Sequence, residues 1–220
     1  MKRNLTFLLA GIMMLTLAAC GNSAPAESAS EGDSEIANST NVQTEGGSHM
    51  LVAYFSLAGE QYGVGVIEEG NTSIIAHMIA EQTGADLFEI EAVTPYPASH
   101  SELLEVSQQE MADNARPEIA GTVDNMQDYD TIFIGYPNWW GDMPMIVYNF
   151  LESYDLSDKT IVPFCTHGGS GLSNIESTIA DITGGTMKDG FAIPGTTAQN
   201  DRDTARSKVT EWLKEGGFAE

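Results

Sequence analysis

Residues 130–151 read DTIFIGYPNWWGDMPMIVYNFL. The opening DTIFIGY is a near-continuous apolar run, the pattern of a strand covered on both faces by helices. From Met145 onward Ile146, Val147, Phe150 and Leu151 fall on one stripe and predict a helix to Tyr154. Between them lies Pro137-Asn138-Trp139-Trp140-Gly141-Asp142-Met143-Pro144. Adjacent side chains diverge, so at most one of the two tryptophans points inward. The other is exposed aromatic surface on a loop stiffened by proline at both ends, which suits a flat aromatic ligand. Gly141 lets main chain approach that ligand.

The same alternation recurs on both sides. Strands are predicted at 50–55 (MLVAYF), 86–92 (DLFEIEA), 130–136, 160–165 (TIVPFC) and 186–193, with Pro163 an irregularity inside the fourth. A helix capped by Thr72 carries Ile74, Ile75, Met78 and Ile79 and stops at Gly84 as a C′ residue. Further helices are predicted over 100–115, over a segment marked by Leu172, Ile175, Ile179 and Ile182, and over 201–215 with Val209, Trp212 and Leu213 inward. Five strand–helix units in a row predict a five-stranded parallel sheet in a three-layer α/β/α sandwich, with right-handed crossovers. Ligands of such sheets sit beyond the carboxyl ends of the strands, where strand order reverses. The loops after the first, third and fourth strands are therefore the candidate site.

The first loop begins Ser56-Leu57-Ala58-Gly59 and ends Gly70-Asn71-Thr72 at a helix start, which makes an anion site of hydroxyls and free amides. From residue 4 to residue 115 there is no Lys or Arg, so the loop is not a nucleotide P-loop, which requires a lysine. Gly63-Val64-Gly65 fails as a dinucleotide fingerprint because Glu68 stands where the third glycine belongs. The loop after the fourth strand, Thr166-His167-Gly168-Gly169-Ser170-Gly171, lets main chain pass close to a ligand. It is no nucleophile elbow, since Leu172 replaces the closing glycine. The four histidines, at 49, 77, 100 and 167, lack metal-ligand spacing, and no metal is expected.

These three loops in this order resemble the flavodoxin family, over residues 50–217. The resemblance implies strand order 2-1-3-4-5 and non-covalently bound FMN. It implies that Ser56, Ala58, Gly70, Asn71 and Thr72 hold the phosphate. Pro137, Asn138, Trp139, Trp140 and Gly141 then hold one side of the ring system, and Thr166, His167, Gly168, Gly169 and Gly171 line the other. Residues 60–69 interrupt a phosphate loop that is contiguous in typical members. This insertion either folds over the phosphate or brings Tyr62 to the ligand. An acidic, aromatic-walled site without a cation disfavours added negative charge on the flavin, which makes a low-potential electron carrier the expected function. A flavin-dependent NAD(P)H:quinone oxidoreductase and a flavin-free surface binding module are the alternatives.

The 220 residues predict one domain of this size with extra segments. Lys2 and Arg3, an apolar run from Leu5 to Ala19, and Leu17-Ala18-Ala19-Cys20 resemble a bacterial lipoprotein signal with Cys20 as the acylated residue. Residues 21–49 are polar, small and acidic, and predict a disordered linker to a domain at 50–220. The protein is thus expected outside the cytoplasm, held to a membrane by lipid alone. Beyond residue 49 there are 7 basic against 27 acidic side chains. Such a surface excludes nucleic acid as a partner and suits a redox protein with a basic docking face.

Overall fold

The computed structural model describes residues 49–220. The expected signal and its Cys20 lie outside the described residues, as does the expected linker apart from His49. That residue is part of the fold: its backbone nitrogen donates to Asp130 Oδ2 at 3.3 Å and its carbonyl accepts from Asp130 and Thr131. Among the described residues no helix is long and apolar enough to cross a membrane.

Five parallel strands form the central sheet: β1 (Met50–Tyr54), β2 (Asp86–Glu89), β3 (Thr131–Pro137), β4 (Thr160–His167) and β5 (Phe191–Pro194). Their order is β2-β1-β3-β4-β5. The chain steps from β1 to one edge and then returns across β1 to β3, so the order reverses at the β1/β3 boundary. The helices are α1 (Asn71–Thr83), α2 (His100–Ala112), α3 (Met145–Glu152), α4 (Ile175–Thr183), α5 (Gly195–Asn200) and α6 (Arg202–Glu215).

The strands read as unbroken apolar runs because both faces are buried. Val52, Phe133, Val162, Phe164 and Ile193 pack under Ile75 and Ile79 of α1 and Val209 and Leu213 of α6. Their alternate neighbours Leu51, Ala53, Ile132, Ile134 and Ile161 pack under Ile146, Val147 and Phe150 of α3 and Ile179 of α4. On the first of these faces Gly135 lies where any Cβ would run into the Phe164 ring.

Several expected boundaries move, each for a local reason. Thr72 is not the cap of α1. The helix opens after Gly70, and the Ser73 amide is capped from across the loop by Ser56 Oγ at 3.0 Å. Gly84 does close the helix, in the left-handed region at φ 72°. The second predicted strand splits at Ile90, because Glu91–Ala92 turns away to pair antiparallel with Ile119–Ala120. α2 ends at Ala112 and α3 at Glu152, each before its expected limit. α4 starts at Ile175, so Leu172 precedes it and packs against the core from the loop.

The fifth predicted strand also splits, and this explains Pro163. Thr186–Met187 pairs with the start of β4, and Lys188 N donates to the Ile161 carbonyl at 2.9 Å. Residues two apart on a strand face the same edge. The nitrogen of Pro163, which has no hydrogen to donate, therefore faces the interval between Met187 and Phe191, where no strand continues. A Cβ on Gly190 would lie 3.0 Å from Pro163 Cγ, so glycine lets the chain pass the ring.

Overpacking beneath Phe164 should make Gly135→Ala costly. The expected loss of unfolding free energy is about 2 kcal/mol or more, read from urea midpoints at unchanged slope.

Candidate functional site

The loops after β1, β3 and β4, together with one side of α2, enclose a cavity of about 600 Å³ at the carboxyl ends of the strands. This is where β1 and β3 part, the position that parallel sheets use for ligands. Ten of the residues expected from sequence line it: Asn71, Pro137, Asn138, Trp139, Trp140, Gly141, Thr166, His167, Gly168 and Gly169.

The tryptophan loop is a two-residue hairpin turn. Trp139 N donates to the Asp142 carbonyl at 2.8 Å and Asp142 N returns to the Trp139 carbonyl at 2.9 Å. The central residues Trp140 and Gly141 have φ of 58° and 86°. Positive φ at both positions is the type I′ conformation, which Asn and Gly favour and a bulky side chain resists. Trp139 turns inward, edge-on to Phe55 and Tyr96 at ring distances of 5.5 and 5.7 Å. Trp140 turns out and remains half exposed, its indole N–H donating to Ser107 Oγ of α2 at 3.1 Å.

Asn138 ties this turn to the glycine loop. Its Nδ2 donates to the Gly171 carbonyl at 2.8 Å and to Ser173 Oγ at 3.0 Å, while its Oδ1 accepts the Gly141 amide at 3.1 Å. Asp142 is held away from the cavity by the Tyr148 hydroxyl at 2.9 Å. One side-chain amide thus fixes the spacing between the two loops that wall the cavity.

Ser56, Ala58, Gly70, Thr72 and Gly171 do not line the cavity. Ser56 caps α1, as described above. The Ala58 carbonyl lies 3.4 Å from Gln61 Nε2. Gly70 leaves room for Ser56 Oγ and the Leu57 backbone, which a Cβ would meet. Thr72 is buried, its hydroxyl 2.8 Å from that of Thr166, which joins the start of α1 to the end of β4. Gly171 offers its carbonyl to Asn138 and to Cys165 Sγ, the latter at 3.3 Å. Burial pushes the Cys165 thiol up to about 12, so it stays protonated and is no nucleophile.

At the β1 end of the cavity Asn71 Oδ1 is buried without a hydrogen-bond partner. A Cβ on Gly195 would lie 2.5 Å from Asn71 Nδ2, so the bare glycine at the start of α5 makes room for this amide. Buried polar atoms are normally paired, and an orphaned acceptor on a cavity wall fits a polar ligand group.

The insertion forms a hairpin, Gly59–Gln61 against Gly65–Ile67, that supplies Gln61 and Tyr62 to the wall. Of the two alternatives expected of it, the structure shows that Tyr62 reaches the cavity. The Tyr62 ring lies on Gly168, where a Cβ would stand 2.9 Å from Cδ1. The wall also includes His100, Leu103, Leu104 and Ser107 of α2, and Gly195. No motif marks them. They arrive through the pairing of the hairpin with residue 98 and through the tryptophan–serine bond, which are contacts between distant segments.

The walls carry neither Lys nor Arg, as the sequence predicts, and no Asp or Glu either. The expected acidic lining is therefore corrected to a neutral one. A carboxylate facing this enclosure would lose hydration without gaining a donor. His167 contributes no charge: its Nδ1 accepts the Gly169 amide at 3.0 Å, and burial holds its pKa below the ordinary imidazole value. Among the described residues no group of three or more His, Cys, Asp or Glu could hold a metal ion.

A family model described as flavodoxin matches residues 49–215. A solved flavoprotein from Bacteroides eggerthii is 30% identical, covering 77% of this chain and 98% of its own, with a TM-score of 0.62. One from Bacteroides uniformis is 31% identical, covering 77% and 99%, with a TM-score of 0.61. A flavoprotein from Lactobacillus acidophilus, solved in complex with FMN, shares the fold at 21% identity, covering 68% and 95%, with a TM-score of 0.52. No curated protein matches.

Two outcomes test this geometry. Trp139→Ala should lose about 2 kcal/mol or more of stability, whereas Trp140→Gly should change it by no more than about 1 kcal/mol, because relief of a left-handed backbone worth about 1–2 kcal/mol offsets lost contact. Equilibrium unfolding of the two variants checks the contrast. Folding favours the neutral His167 ring, so its contribution is present above the free imidazole pKa of about 6.5 and is lost as pH falls through the lower folded value. Urea midpoints at pH 7 and pH 5 should therefore diverge less in His167→Gln than in the parent.

Proposed function

The chain belongs to the flavodoxin family, and on that premise we propose that it holds FMN in this cavity and serves as a low-potential one-electron carrier. The observation that supports the reading is the cavity at the β1/β3 switch point, with the tryptophan turn on one wall, the glycine loop on the other and the unpartnered Asn71 Oδ1 at one end. FMN, when bound, would supply the redox chemistry. The chain's own part is to bind, orient and shield. Trp139 and Trp140 would give a bound ring an apolar face, and the Asn138 bonds hold the opposite loop at fixed distance. Asn71, the first residue of α1, would meet a polar part of the ligand. FMN is the first ligand to test because a protein of the same fold was solved with it.

The low potential is inferred from the walls. No Lys or Arg is present to offset negative charge added to a bound ring, and the neutral lining gives it no other cation at the tryptophan end. The surface charge, 7 basic against 27 acidic side chains beyond residue 49, supports a partner with a basic docking face. The lipoprotein-like signal ending at Cys20 supports anchorage on the outer face of a bacterial membrane.

Titration of the purified chain with FMN should give one bound flavin with quenched fluorescence and a visible spectrum distinct from that of free FMN; failure to bind overturns the reading. Potentiometry of the loaded protein should place the couple for the last electron well below that of free FMN. Steady-state oxidation of NAD(P)H by an added quinone would instead make the protein an enzyme.

A further inference from the structure

α2 runs along the cavity and gives it a direction. Ser107 bonds the Trp140 indole at 3.1 Å. His100 lines the same cavity seven residues earlier, about 10 Å back along the helix at a rise of about 1.5 Å per residue. A flat ring held by the tryptophans thus leaves the His100 end to the remainder of the ligand. The insertion hairpin borders that end: the Tyr62 ring centroid is 6.3 Å from that of His100, and Glu60 Oε2 accepts the His100 backbone N–H at 3.1 Å.

His100 Nδ1 is buried and has no hydrogen-bond partner. Orphaned buried nitrogens are uncommon because the desolvation cost is uncompensated. Of the side chains lining the cavity only His100 and His167 can carry positive charge. His167 is committed to the Gly169 amide as an acceptor. Arg116, the first basic residue beyond position 3, is bound to Glu152 at 2.6 Å. The cavity therefore has one side chain free to meet an anion with charge.

We propose that His100 holds the phosphate of the bound flavin nucleotide, donating from Nδ1 in its protonated form. The proposal rests on the FMN reading and adds a residue from α2 to a cavity whose other polar groups are neutral. The titratable groups that the structure places near His100 are Glu60, which accepts its backbone N–H, Tyr62, whose ring faces the imidazole, and His167, which lines the same cavity. A phosphate that is dianionic above its second pKa of about 6 favours the imidazolium, and by linkage the ligand then binds more tightly when His100 is charged.

The test compares FMN with riboflavin, which lacks the phosphate, at pH 6.5 and pH 8.5. FMN should bind the parent about fivefold more weakly at the higher pH, and riboflavin should bind equally at both. In His100→Gln the FMN affinity should become independent of pH and fall to the alkaline value, with riboflavin affinity unchanged. Imidazole NMR of the parent chain should show the His100 titration midpoint rising by about one pH unit when FMN is added, a readout that needs no variant to fold. An FMN affinity indifferent to pH, a midpoint unmoved by FMN, or an equal loss of riboflavin and FMN binding in the variant would overturn the role of His100 while leaving FMN binding itself intact. FMN that fails to bind at every pH would overturn the functional reading, and this assignment with it.

Discussion

A parallel sheet carries its helices on both faces, and that requirement organises this molecule. Each strand must be apolar on both sides, each connection must cross the sheet as a helix, and every strand must point the same way. Loops that leave the carboxyl ends therefore gather on one rim. Polar and glycine-rich residues accumulate there because the layers beneath have no place for them. The buried pair of hydroxyls on Thr72 and Thr166 shows the constraint acting locally. At the seam between α1 and β4 two polar groups satisfy each other, and the rim above them is set in place.

Much of this was legible in the sequence because burial leaves a direct trace. Runs such as MLVAY and TIFIGYP have no polar alternation, and the stripes of α1, α3 and α6 are periodic. The tryptophan turn and the glycine loop were legible for a different reason, since short motifs at strand ends use residues that are costly elsewhere. What the sequence did not disclose depends on contacts between distant segments. His100 reaches the cavity because Glu60 and Ala98 join the insertion to the approach of α2. Ser56 and Thr72 read as phosphate ligands by type and position. In the structure their hydroxyls bond the helix start and the β4 end, contacts that only the folded chain can show. The splitting of the second and fifth strands was hidden for the same reason, because pairing partners are not neighbours in sequence.

Charge is arranged by subtraction. The 112 residues between Arg3 and Arg116 contain every β1 loop and α1 and α2 residue of the cavity, and none is Lys or Arg. The structure extends this by removing carboxylates from the walls as well, so the strong acidity is confined to the outside. A neutral lining inside a negative shell keeps the docking field separate from the binding chemistry. Histidine is the one residue type left that can add charge inside.

The break opposite Pro163 has a consequence for self-association. A long uniform edge strand exposes a row of unpaired amides and carbonyls on which another copy can add. Here the β5 edge is only four residues long, ends in Pro194, and is separated from Thr186–Met187 by a segment that leaves the sheet. At the opposite edge β2 is also four residues long, and the chain beyond it peels off to pair with Ile119–Ala120. Neither side offers an uninterrupted template for sheet extension. For copies crowded side by side on one surface, such interrupted margins favour remaining separate, so that a defect in strand continuity becomes protection against aggregation.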